Sequence, residues 1–88
     1  MSSPKVAMIM GSGSDLDVMM NGIKVLKGYG IEYEVRVISA HRAPDAVGEY
    51  ARAAASRGIK VLIAGAGAAA HLAGALAAHS ALPIIGVP

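Results

Sequence analysis

A histidine and an arginine stand side by side in Ser39-Ala40-His41-Arg42-Ala43-Pro44-Asp45, between a strand-like run and a helix opened by proline. An imidazole titrates near neutral pH and can give or take a proton. A guanidinium presents a planar fork to phosphate or carboxylate. Taken alone, the pair fits a surface loop with incidental charges just as well, so its weight depends on what the chain brings to it.

Two glycine-rich stretches are the candidates. Gly11-Ser12-Gly13-Ser14-Asp15 sets two hydroxyls and several backbone N–H groups at a helix start, where the helix dipole favours an anion such as phosphate. The competing explanation is local: Ser14 or Asp15 caps the helix. Gly65-Ala66-Gly67-Ala68-Ala69-Ala70 matches the dinucleotide pattern G-x-G-x-x-A after a strand. That fingerprint also needs an acidic residue about twenty positions on for the ribose, and no Asp or Glu follows Glu49, so a nicotinamide or flavin dinucleotide is disfavoured. His71 sits on an alanine-rich helical stretch, where a histidine is more often a hydrogen-bonded structural residue than a binding one. His79, near the helix end, suits a partner for the C-terminal dipole. The three histidines have no i, i+4 spacing and no flanking carboxylates, so no metal site is expected.

The elements that must position these loops alternate in type. Lys5–Met10 is apolar on both faces, as a central parallel strand requires. Leu16, Met19, Met20, Ile23 and Leu26 follow helical spacing, and Gly28 and Gly30 end that helix. Tyr33–Ile38 alternates Glu34 and Arg36 with Val35 and Val37, as a strand near an edge would. Pro44 opens a second helix, with Val47, Tyr50, Ala51 and Ala54 inward, Asp45 and Glu49 toward its positive end, and Gly58 as its stop. Val61–Ala64 begins a third strand, a helix is expected from about Ala69 to Ala78, and Ile84–Val87 forms a short fourth strand. The order βαβαβαβ predicts a parallel sheet with right-handed crossovers, an α/β fold within one small domain, 1–88. Ligands of such sheets bind beyond the carboxyl ends of the strands. With strand order 2-1-3-4, the loops at 11–15, 39–44 and 65–71 would share one crevice.

Composition narrows the function classes. The chain has 88 residues, no Phe, Trp or Cys, and eight basic against six acidic side chains. A formal charge of +2 spread along the chain makes no nucleic-acid footprint. The absence of cysteine excludes disulfides and thiolate metal sites and fits a reducing, cytoplasmic setting. Residues 61–88 carry no Lys, Arg, Asp or Glu, yet His71, His79 and Pro83 interrupt them, so buried strand, helix and buried strand are expected rather than a membrane span. A core built from small residues buries little area per side chain, at about 25 cal/mol per Å². Assembly with further copies is therefore expected.

Four ordered stretches, Gly11–Asp15, Ser39–Asp45, Ala64–Leu72 and Leu82–Pro88, resemble the successive signatures of the N5-carboxyaminoimidazole ribonucleotide mutase family, and the resemblance covers the chain from Val6 onward. It implies a three-layer, flavodoxin-like sheet of order 2-1-3-4, a homo-octamer, and a cofactor-independent, metal-free isomerase of purine biosynthesis. That reaction moves a carboxyl group from N5 to C4 of an aminoimidazole ribonucleotide. By the same resemblance, Ser12, Ser14, Asp15 and Arg42 would hold the ribose phosphate, with Ser39 as a further substrate contact. His41 would shuttle the proton, and Gly67 and His71 would line the pocket that retains carbon dioxide. Related animal-type carboxylases carry Lys where Arg42 stands, which favours the mutase. The chain departs from the family at Ala43, usually Thr, where a lost helix cap costs about 1 kcal/mol, and at Ala68, Ala73 and Ala75, usually Gly, Pro and Met. Family members continue for about as many residues again, with a fifth strand, a closing loop and the last helices.

Overall fold

The computed structural model describes residues 4–40, 42–65 and 71–87. Strand β1 (Val6–Met10) leads through a 3-10 turn at Gly13–Asp15 into helix α1 (Leu16–Gly28), then β2 (Tyr33–Val37) and α2 (Pro44–Ala54). A second 3-10 turn at Ala55–Arg57 is followed by β3 (Val61–Gly65), α3 (Leu72–Ala77) and β4 (Ile84–Val87). The four strands form one parallel sheet of order β2-β1-β3-β4, as expected.

The sheet divides the interior into two clusters. On one face, Ala7, Ile9, Leu62 and Ala64 meet Val47, Ala51 and Ala54 of α2 and Leu72 and Leu76 of α3. On the other, Val6, Met8 and Met10 meet Met19 and Ile23 of α1, with Met20, Leu26, Tyr33, Ile63 and Val87 packed around them. Helices on both faces give three layers. Every residue of β1 is buried, which explains why both of its faces are apolar.

Most expected boundaries hold to within a residue. Gly30 and Gly58 adopt φ of +69° and +92°, the left-handed conformation that ends a helix at little cost for glycine. Helix α2 stops at Ala54, and the turn to Gly58 tightens to 3-10 geometry. Leu16, expected inward on α1, is the first residue of that helix and is 41% exposed, and the buried stripe begins at Met19. Helix α3 is described from Leu72; the residues 69 and 70, expected to begin it, lie outside the described residues. His71 is its N-cap residue rather than a residue of the helix body. Strand β4 takes the edge position that the order 2-1-3-4 implies, but it is not buried as expected, because no strand covers its outer side: Ile85 is 53% exposed. Among the described residues, no helix is long and apolar enough to cross a membrane.

Candidate functional site

Parallel register brings the strand ends level. Met10 of β1 is opposite both Val37 of β2 and Gly65 of β3, and Gly65 is opposite Val87 of β4. The first three strands therefore end at one height. Ile38 N–H donates to the Met10 carbonyl at 2.8 Å, and Gly11 N–H donates to the Gly65 carbonyl at 3.1 Å. These bonds extend the ladder one residue past the strands and lock the loop bases together.

Between the first two loops lies an open cleft of about 630 Å³, walled by Gly11, Ser12 and Gly13 on one side and Val37, Ile38, Ser39, Arg42, Ala43 and Ala46 on the other. Ser12 and Arg42, far apart in sequence, thus share one cavity at the carboxyl edge.

The serine loop builds itself. Ser12 Oγ accepts from Ser14 N–H at 3.0 Å, Ser12 N–H donates to Asp15 Oδ2 at 3.2 Å, and the two serine hydroxyls are 2.6 Å apart. This is a capping box, and it assigns the cap to Ser12 and Asp15 rather than to Ser14. Capping and anion binding coexist here, since the box fixes the loop while Ser12 and Gly13 still face the cleft.

Ser39 organises the opposite wall. Its Oγ accepts from Arg42 N–H at 3.2 Å, and its carbonyl accepts from Ala43 N–H at 2.8 Å. Ala43 is the N-cap of α2 and offers no side-chain bond to it. Arg42 is exposed, and among the described residues its guanidinium has neither an ion pair nor a side-chain hydrogen bond. A cation with free donors beside a row of loop hydroxyls is suited to a phosphate.

Of the residues singled out from sequence, Ser12, Ser39 and Arg42 meet in the cleft, and Ser14 and Asp15 stand behind Ser12. His41 and Gly67 lie outside the described residues, as do Ala66 and Ala68–Ala70 of the dinucleotide-like pattern. His71 is exposed at the start of α3. His79 is not simply a dipole partner: Arg52 Nη1 is 3.0 Å from its Nδ1, and since guanidinium only donates, that ring nitrogen accepts. Gly48 makes room for this pair, a methyl there lying 3.1 Å from Arg52 Nη1. Among the described residues, no group of three His, Asp or Glu could hold a metal.

One charged cluster was not anticipated. Glu34 of β2 accepts a hydrogen bond from the Tyr50 hydroxyl and is gripped by Arg57, with Nη1 to Oε2 at 3.0 Å and Nη2 to Oε1 at 2.5 Å. Arg36 and Arg57 lie 5.9 and 5.7 Å from the Tyr50 ring centroid. The Arg57 guanidinium, with help from Tyr50, holds the Glu34 carboxyl below its usual range despite partial burial. Burial, reinforced by the neighbouring carboxylate, pushes the Tyr50 phenol upward. The cluster ties the edge strand to α2 on the face away from α1.

A family model described as AIR carboxylase matches residues 5–88. The chain is 60% identical over 85 residues to an N5-carboxyaminoimidazole ribonucleotide mutase of Pyrococcus abyssi, covering 97% of this chain and 49% of the relative. It is 55% identical to the mutase of Thermotoga maritima, covering 97% and 50%, and 55% identical to a phosphoribosylaminoimidazole carboxylase of Schizosaccharomyces pombe, covering 98% and 16%. The chain spans about half the length of the curated mutases it matches.

Proposed function

This chain belongs to the AIR carboxylase family, and on that footing we propose that it supplies the nucleotide-binding and proton-transfer part of a mutase that moves a carboxyl group from N5 to C4 of N5-carboxyaminoimidazole ribonucleotide in purine biosynthesis. The observation that carries the proposal is the shared cleft, in which the Ser12 loop faces Arg42 across the strand ends. A ribose phosphate seated there would take Arg42 as its fork and the N–H groups and hydroxyls of the Ser12–Ser14 loop as further donors. Asp15 and Ser39, as acceptors, would suit ribose hydroxyls.

The chemistry then asks for one proton to move twice. Breaking the N5–carboxylate bond releases carbon dioxide and leaves the electron pair on nitrogen, which takes a proton from His41. Attack of C4 on carbon dioxide forms the new C–C bond, and His41 recovers the proton from C4 as the ring regains aromaticity. A group with an ordinary value near neutral pH can serve in both directions. Gly67 and His71 would belong to the wall that keeps carbon dioxide from escaping between the two steps. A cytoplasmic homo-oligomer is the setting in which this reading places the chain.

The test is conversion of the N5-carboxylated nucleotide, run beside aminoimidazole ribonucleotide plus bicarbonate, with and without the second half of a mutase relative. Turnover of the first substrate alone, abolished by His41→Asn, is expected; equal activity in His41→Asn overturns the proton-transfer role, and turnover only from bicarbonate makes the protein a carboxylase. The half-length match favours one other outcome, binding of the nucleotide without turnover by the isolated chain.

A further inference from the structure

We propose that Met19 and Gly65 form a positioning pair that sets the serine loop at its binding height; this rests on the phosphate-binding reading of the cleft. Gly65 ends β3 with a φ that is not positive, so its backbone conformation does not demand glycine. Its neighbourhood does. A methyl on Gly65 would lie 2.5 Å from Met19 Sδ, 3.0 Å from Cγ and 3.1 Å from Cε, closer than the 3.1 Å nearest approach at Gly22 or Gly48. The intruding atoms belong to one side chain with little free space around it, because Met19 is 2% exposed and clustered with Met8, Met10 and Ile23.

Met19 is the fourth residue of α1, and the turn Gly13–Asp15 runs directly into that helix. Gly65 also touches the same loop from its other end, accepting the Gly11 N–H. The loop is therefore pinned at its base by the Gly65 carbonyl and at its far end by α1, whose depth on the sheet is set by Met19 lying on the bare Gly65 backbone. A methyl at 65 must lift Met19 by about 1 Å to reach ordinary contact distance, and the start of α1 would carry Ser12–Asp15 with it. Displacements of that size in a binding constellation cost on the order of tenfold or more.

The experiment uses the 88-residue chain with ribose 5-phosphate as probe, followed by amide NMR. Gly65→Ala should shift the amides of Gly11–Asp15 without ligand and raise Kd about tenfold, while Gly65→Ala with Met19→Ala should return both toward wild type despite lower stability. A purely stabilising role for Gly65 predicts a lower Tm with those amides and Kd unmoved, and that result overturns the proposal. Should Gly65→Ala not fold, the comparison is Met19→Ala with and without the methyl: no added loss supports the pair, and a further tenfold loss contradicts it. If wild type does not bind the probe at all, the phosphate reading of the cleft fails, while the amide shifts and their reversal still decide whether Met19 and Gly65 set the loop.

Discussion

Among the described residues the Arg42 guanidinium has donors to spare, and its loss should be felt by ligand rather than by the fold. A charge-assisted hydrogen bond is worth about 1.5–3 kcal/mol, so Arg42→Ala should weaken ribose 5-phosphate binding by about tenfold or more while leaving the thermal midpoint nearly unchanged; an unaltered Kd in calorimetry would remove Arg42 from the site. Ala43 is the opposite case. As an N-cap with no side-chain oxygen, it leaves α2 uncapped, and Ala43→Ser should add about 0.5–1 kcal/mol, read as a higher urea midpoint. No gain would mean that the α2 N–H groups are already satisfied. At this scale much was legible: Gly-Ser-Gly-Ser-Asp announced a turn and a helix start, and His-Arg-Ala-Pro announced a loop before a helix. What could not be read was the division of labour inside the first loop. Any of Ser12, Ser14 or Asp15 can cap, and only the 3-10 turn at Gly13–Asp15 puts the cap on Ser12.

Between elements, the Glu34, Tyr50 and Arg57 cluster is what joins β2 to the α2 side of the molecule. The folded chain favours ionised Glu34, so its contribution is complete above the ordinary glutamate value, about 4.3, and fades as pH falls through the lower folded value. Tyr50 works from the other end: burial favours the neutral phenol, a contribution present below its ordinary value of about 10 and lost only as pH rises through the higher folded one. Glu34→Gln should therefore cost about 1 kcal/mol at pH 7, discounted for the partly exposed Arg57, and should flatten the acid limb of a urea-midpoint series from pH 3 to 7. An acid limb as steep as wild type would show that other carboxylates cause it. The strand itself was legible from its alternation, and its edge position with it. The covered face was not, because Glu34's partners lie 16 and 23 residues away and an alternating edge strand does not reveal which side a helix will shield.

For the whole molecule, the unequal cover of the sheet is the governing feature. Two helices shield one face and a single helix the other, leaving Val35 and Val37 at one edge and Ile85 at the other 37%, 57% and 53% exposed. Both outer strands also present an open hydrogen-bonding edge. The 88-residue chain should accordingly associate at micromolar concentration, and sedimentation should give a species heavier than 8.8 kDa; a clean monomer would contradict this. Strand order and three-layer architecture followed from the alternation of element types and from the resemblance, whereas the bare face did not, because α1's own apolar stripe looks complete in sequence. The central claim is that the carboxyl edge of this sheet holds a phosphorylated ribose between the serine loop and Arg42. Its most direct measurement is an amide NMR titration with aminoimidazole ribonucleotide. The account predicts saturable shifts concentrated at residues 11–15, 39 and 42 and lost in Arg42→Ala; shifts concentrated instead around Arg52 and His79 on the α2–α3 surface, or binding indifferent to Arg42, would contradict it.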